Sequence, residues 1–100
     1  MAYLTMFRIP GDPDELLRHK QEVMDPKVAP AARENGAIEH IVLKTDGGIM
    51  IVNLWETLEG SERTNEVARE VATAGGGPMA DAAPQDWQAY EIVQREVVST

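Results

Sequence analysis

The sequence of 100 residues contains no cysteine. This absence excludes disulfide bonds, thiolate zinc sites and a cysteine nucleophile. Basic residues are also scarce, because 9 Lys and Arg stand against 17 Asp and Glu and the formal net charge is −8. A negatively charged protein repels phosphate backbones, so we do not expect nucleic acid as a partner.

Long apolar runs are missing as well. No run approaches the roughly 18 residues that a membrane-spanning helix needs, so we expect no membrane partner. The absence of cysteine fits a cytoplasmic location, which we therefore expect. The first residues, MAYLTMFRIPGD, lack a basic start and a long apolar centre, and we interpret them as a strand, not a signal peptide. The hydrophobic fraction of 43% is that of a globular protein. Residues 1–100 are therefore predicted to form one domain.

Histidine is rare, with two in the chain, and His19 and His40 have no metal-ligand spacing. The carboxylates of Asp12, Asp14 and Glu15 are better explained as the capped first turn of a helix than as a metal cluster. We expect neither a metal nor a cofactor. His19 stands in a charged segment and is expected at the surface.

Apolar periodicity and turn signals divide the chain into alternating strands and helices. A helix from Asp12 to Gly36 is expected to end or kink at Pro26, and a second helix is entered at residues 57–61 and ended by Gly75. A helical turn is predicted at 79–84, and strands are predicted at 3–9, 37–45, 49–56 and 87–98. The order strand, helix, strand, strand, helix, strand is the ferredoxin-like βαββαβ arrangement. It predicts an α+β fold with a four-stranded antiparallel sheet and helices on one face.

The third strand is apolar on both sides, although a sheet with one solvent-exposed face needs apolar residues only at alternate positions. One side carries Ile49, Ile51, Asn53 and Trp55, and the other carries Met50, Val52 and Leu54. The first and second strands follow the same pattern. Two helices cover one face, and a bare second face would be a large apolar patch. We therefore predict a homodimer that packs sheet against sheet, with cover by flanking loops as the alternative.

The third strand ends in Leu54-Trp55-Glu56-Thr57, which opens an acidic helix. This step resembles the Trp-Glu-Ser/Thr step of the antibiotic biosynthesis monooxygenase family and, more broadly, of the dimeric α+β barrel superfamily. The Pro-interrupted first helix and the Asp-Gly-Gly hairpin are similar too. The resemblance implies a dimeric α+β barrel and a cofactor-free oxygenase acting on aromatic polyketides or quinols. Other members degrade haem, cyclise polyketides or isomerise lactones.

Haem degradation is not expected here. Haem-degrading members use an asparagine on the first strand, a tryptophan at the end of the third and a histidine in the following helix. Trp55 matches the tryptophan. The first strand has no asparagine, and residues 61–74 have no histidine.

The position of His40 depends on the hairpin. A two-residue loop, or a loop of Gly47-Gly48 alone, puts His40 on the face of Asn53 and Trp55, whereas a three-residue loop puts it on the opposite face. On the same face, the imidazole could take a phenolic or enolic proton, the amide could stabilise an oxyanion and the indole could stack on an aromatic ring. His40, Asn53 and Trp55 are thus the candidate catalytic residues. The alternative is a His-Asn pair that satisfies itself in the core or the dimer interface.

Three further residues are candidates for substrate binding. Arg8 could hold a carboxylate, and Tyr3 and Tyr90 could donate phenolic hydrogen bonds, although each could equally serve packing or ion pairing. The predicted function is a small cofactor-independent monooxygenase that deprotonates an aromatic or polyketide-type enolisable substrate. An isomerase or cyclase using the same pocket, or a non-catalytic dimer that binds a small hydrophobic molecule, remains open.

Overall fold

The computed structural model describes residues 2–81 and 84–99. In these ranges a four-stranded sheet has the order β2-β3-β1-β4, and neighbouring strands run antiparallel. The strands are β1 (Tyr3–Pro10), β2 (Ala37–Thr45), β3 (Gly48–Trp55) and β4 (Gln85–Glu91). The helices are α1 (Pro13–His19), α2 (Asp25–Glu34), α3 (Leu58–Gly75) and the short α4 (Pro78–Asp81). The predicted ferredoxin-like α+β fold is confirmed.

The core lies between one face of the sheet and the helices. Ile9, Ile49 and Ile51 contribute from the sheet, and all are at most 5% exposed. Leu16, Met24 and Met79 contribute from the helical side. The alternation predicted for β3 is confirmed, because its odd-numbered residues from Ile49 to Trp55 are all buried on the helix side. No helix in the described ranges is long and apolar enough to cross a membrane.

A π-helical turn, Lys20–Met24, joins α1 to α2. The backbone N–H of Asp25 bonds to the carbonyl of Lys20, five residues back. Pro26 follows, and because proline has no N–H it cannot donate the usual bond to the carbonyl four residues earlier. Pro26 therefore coincides with a widened turn, and the helix continues beyond it. Asp12 holds the N-cap position of α1, but its side chain makes no capping hydrogen bond, contrary to the prediction.

The last strand is shorter than predicted. β4 ends at Glu91, which pairs with Tyr3, and the N–H of Ile92 then bonds to the carbonyl of Ala2 at 2.8 Å. The partner strand β1 begins at Tyr3, so the ladder ends where its partner does. The prediction of strand as far as residue 98 is wrong for this reason. Val93, Val97 and Val98 are 88%, 69% and 87% exposed.

The predicted helical turn at 79–84 corresponds in part to α4, and residues 82 and 83 lie outside the described residues. The glycine-rich stretch ends α3 at Gly75, as predicted.

The start of α3 packs directly on the end of α2. The hydroxyl of Thr57 caps α3 by accepting from the N–H of Gly60 at 3.0 Å. A Cβ added at Gly60 would lie 2.0 Å from the carbonyl oxygen of Asn35. Glycine at this position is thus required by the close approach of two helices, and not by its own backbone angles.

Substitution tests this contact. Gly60→Ala should lower the free energy of unfolding by about 1–3 kcal/mol, because the new methyl group must push α3 away from α2. Gly47→Ala is the control, since a Cβ there meets nothing within 4 Å. Urea unfolding followed by circular dichroism measures both. Equal stability of the two variants would contradict the proposed close contact.

Candidate functional site

The β2–β3 hairpin has a two-residue turn. Thr45 pairs with Gly48, which leaves Asp46 and Gly47 as the turn. In this register His40 lies directly opposite Asn53. Of the two arrangements open from the sequence, the structure therefore has the one that puts His40 on the same face as Asn53 and Trp55.

His40 and Asn53 contact each other through their side chains. The Nδ1–H of His40 donates to Oδ1 of Asn53. Asn53 is 9% exposed, whereas His40 belongs to the exposed residues. When a neutral imidazole donates from Nδ1, its lone pair is on Nε2. The buried amide thus fixes the ring and leaves Nε2 as the nitrogen that can accept a proton.

The indole of Trp55 is held in the core. Trp55 is 2% exposed, and its Nε1–H donates to Oγ1 of Thr5 at 2.9 Å, with Thr5 itself 3% exposed. A buried indole N–H needs such a partner. Because that hydrogen bond is made within the protein, the ring is available to a ligand by contact with its apolar surface and not as a donor.

These three residues line a cavity of about 780 Å³ between the sheet and the helices. Its wall is largely apolar. The sheet contributes Phe7, Ile9, Ile38 and Ile51, and the helices contribute Met24, Val28, Ala68 and Ala72. A concave, mostly apolar cavity with a few polar groups is the usual form of a small-molecule site, and this volume is in the range for such sites.

Among known proteins, no protein-family model and no curated protein matches the sequence. Solved structures do resemble it. A dimeric ferredoxin-like protein from an uncultured marine organism has a TM-score of 0.74 at 16% identity, over 97% of this chain and 99% of that one. SnoaB, a cofactor-independent oxygenase from Streptomyces nogalater, has a TM-score of 0.58 at 19% identity, over 94% of this chain and 93% of that one.

A third neighbour is a candidate antibiotic biosynthesis monooxygenase from Chloroflexus aurantiacus. Its TM-score is 0.60 at 13% identity, over 99% of this chain and 100% of that one. At such identities the likeness shows the fold alone. The chain has the ferredoxin-like fold of these proteins.

An aromatic pair that the sequence did not reveal forms part of the cavity wall. Phe7 and Trp87 stack with ring centroids 4.2 Å apart and an interplanar angle of 22°. Both residues line the cavity. The pairing of β1 with β4 shifts register between Met6 and Arg8, and Asp86 there has a φ of 55°. Trp87 lies on the regular side of this bulge, because Met6 still pairs with Gln88 and the next residue of each strand, Phe7 and Trp87, therefore falls on the inner face. Strand periodicity alone did not find this pair, because it does not show which strands are neighbours or in which register they pair.

Lys20 was also missed. It is 6% exposed and lines the cavity from the π-helical turn, with Nζ 2.6 Å from Oδ1 of Asp25. A signal was present in the sequence, because Leu16, Lys20 and Met24 follow one another at intervals of four and are the buried residues of this segment. A lysine within an apolar helical stripe marks a cation on the inward face.

The predicted substrate-binding residues do not line this cavity. Arg8 is on the opposite face of β1 from Phe7 and pairs with Asp86 at 3.3 Å. Tyr90 is 54% exposed and donates to Oε1 of Gln88 at 3.0 Å. Tyr3 is half-buried at the first position of β1. Their role in binding a substrate stays a prediction.

His19 is not the surface residue that was expected. Its Nε2 is buried and has no hydrogen-bond partner among the described residues. A Cβ added at Gly77 would lie 2.8 Å from its ring. The chain after α3 therefore packs over His19, which lies outside the cavity lining.

The Trp55–Thr5 hydrogen bond yields a stability prediction. Thr5→Val keeps the shape of the side chain but leaves the buried indole N–H unpaired, so it should lower the free energy of unfolding by about 1–3 kcal/mol. Thr45→Val is the matched control on another strand, because Oγ1 of Thr45 is buried with no partner among the described residues. That variant should be neutral or slightly stabilised in chemical denaturation. A neutral Thr5→Val variant would refute the structural role of the bond.

Proposed function

We propose that this protein is a small cofactor-independent monooxygenase that acts on an aromatic or polyketide-type enolisable substrate. The observation behind the proposal is the His40–Asn53 contact at an apolar cavity. It supplies one oriented general base beside a largely apolar wall. Such a site suits removal of a proton from a phenol or enol and suits hydrolysis poorly.

The proposed reaction begins when Nε2 of His40 accepts the substrate proton. The resulting enolate has carbanion character and transfers one electron to dioxygen, the co-substrate. Recombination of the two radicals forms a carbon–oxygen bond, and the imidazolium returns its proton to the peroxide. Loss of water from a former CH₂ centre then leaves a carbonyl, so that CH₂ and O₂ become C=O and H₂O.

Two features of the cavity support this chemistry. Trp55 and the Phe7–Trp87 pair offer flat apolar surfaces for an aromatic substrate. The apolar wall limits water, and a less solvated enolate is a stronger electron donor. The cofactor-independent oxygenase among the structural neighbours is consistent with this class of reaction.

A non-catalytic binding protein is the second candidate. The pairs His40–Asn53 and Trp55–Thr5 satisfy each other without a ligand, as polar groups in a purely structural role do. An isomerase or cyclase would use the same deprotonation without oxygen.

Turnover of a panel of quinols and polyketide-like phenols, with oxygen uptake recorded, tests the proposal. His40→Ala should reduce turnover by about 100-fold or more, because general-base catalysis contributes that much. Added imidazole should restore part of it. His19→Ala is the control, since His19 lies outside the cavity lining.

Other results would support one of the alternative functions. Product formed without oxygen uptake would identify an isomerase or cyclase. Undiminished turnover of a folded His40→Ala variant would remove His40 from the mechanism. Tight binding of a compound without any product would favour the binding protein.

The proposal includes a homodimer formed through the outer face of the sheet, the face that turns away from the helices. The apolar residues of the outer face are Leu4, Met6, Ile41, Leu43, Met50, Val52, Leu54 and Tyr90, and the polar residues Arg8 and Gln88 lie among them. Ile41, Leu43 and Tyr90 are 36%, 44% and 54% exposed. A largely apolar surface of this kind is typical of an interface. A second copy is the proposed cover, and the neighbour described as dimeric supports it.

Substitutions at two adjacent residues of β3 distinguish an effect on dimer formation from an effect on folding. Val52→Asp places a charge on the outer face and should convert a dimer into a folded monomer in analytical ultracentrifugation. Ile51→Asp buries the charge at a site 5% exposed and should prevent folding, because an unpaired buried charge costs more than about 4 kcal/mol. A wild-type protein that sediments as a monomer, or a Val52→Asp variant that remains dimeric, would contradict this interface.

A further inference from the structure

Lys20 is a buried lysine in the wall of the cavity, and few proteins bury this residue. Its side chain is 7% exposed, and lysine is almost never buried to this extent unless it is paired. Its partner is Asp25, with Nζ 2.6 Å from Oδ1. The proposed proton transfer at His40 does not use this ammonium group.

The ion pair with Asp25 is a weak reason for burying Lys20. The Asp25 side chain is 41% exposed, and solvent screening reduces the attraction of an exposed carboxylate. Desolvation of the ammonium group opposes the pair. Lysine Nζ has three N–H donors, and Oδ1 of Asp25 is the acceptor found for it among the described residues.

The charge balance of the cavity is the reverse of that of the whole chain. The chain has 9 basic and 17 acidic residues. The described residues that line the cavity include the cations Lys20, Arg33 and Arg69 and the acids Asp25 and Glu39. Among the described residues that line this cavity, cations therefore slightly outnumber acids, although acids prevail in the whole chain.

The backbone at Lys20 is a second, independent observation. Lys20 begins the π-helical turn, and its carbonyl accepts the wide hydrogen bond from Asp25. Turns of this type inside a helix are rare and are found frequently at functional sites. Lys20 and Met24 are the buried residues of this turn.

From these observations we infer that Lys20 binds an anionic group of the cavity's ligand, and that the ligand is an aromatic carboxylic acid. The carboxylate accepts a charge-assisted hydrogen bond from Nζ, and the ring lies against the apolar wall that includes Trp87. The inference rests on the cavity assigned under the proposed function and narrows its substrate class. The inference concerns binding alone and does not require that the protein is catalytically active.

Calorimetric titration with naphthoate and with its uncharged amide, naphthamide, tests the inference. The two probes have nearly the same shape and differ in charge. Wild-type protein should bind naphthoate about tenfold more tightly, the ratio expected of one charge-assisted hydrogen bond. Lys20→Met keeps the length of the side chain without its charge and should bind both probes equally.

The matched control is Lys44→Met. Lys44 forms an ion pair of the same kind with Asp14 at 3.0 Å, but both side chains are exposed and Lys44 is not in the cavity lining. This variant should keep the preference for naphthoate. Circular dichroism checks that each variant is folded. The comparison of naphthoate with naphthamide on wild-type protein does not depend on the folding of any variant.

Equal affinity of wild-type protein for the two probes, or no binding of either, overturns the inference. A preference that persists in folded Lys20→Met overturns it as well. His40→Ala should lose turnover and keep the preference for naphthoate. A protein with the anion preference but no turnover would therefore refute the oxygenase alone and leave an aromatic-acid binding site.

Discussion

The pairing of Thr45 with Gly48 across a two-residue turn sets the register on which the rest of the site depends. Side chains alternate along a strand, so a slip of one residue in β2 would exchange its two faces. His40 would then leave Asn53, and Ile41 would enter the cavity side. The register also fixes which apolar residues remain on the outer face. One turn thus determines the candidate base, the cavity wall and the surface proposed to pair with a second copy.

The cavity exists because the helices lie over the sheet without filling the space beneath them. Ala68 and Ala72 of α3 line it with small side chains. Larger apolar residues at these two positions would bury more surface and add stability. The widened turn at Lys20–Met24 fills part of the space with a charged side chain in place of an apolar one. Both features reduce the packing of apolar side chains at the same place, and the proposed ligand-binding role would account for both.

Sequence periodicity predicted the parts of the fold that depend on local pattern. The faces of β3 and the end of α3 at Gly75 follow from spacing and turn residues alone. The end of β4 could not be predicted, because it depends on where β1 begins. Trp87 was missed because its place beside Phe7 depends on the pairing of β4 with the distant strand β1. Lys20 could have been found, since it interrupts an apolar stripe. The register of His40 required knowledge of the turn length.

The three polar pairs of the cavity differ in the solvent exposure of their members. This difference distinguishes a pair that suits a structural role from pairs that suit a functional one. Trp55 and Thr5 are both buried, so neither can change partner without leaving a polar group unpaired. In the pairs His40–Asn53 and Lys20–Asp25, one member reaches solvent, since His40 is exposed and the side chain of Asp25 is 41% exposed. The proposed roles use this opening: Asp25 would turn to water when an anion reaches Nζ of Lys20, and the ring of His40 would accept a proton at Nε2. The closed pair therefore shapes the cavity, and the two open pairs are the ones that suit the proposed proton transfer and anion binding.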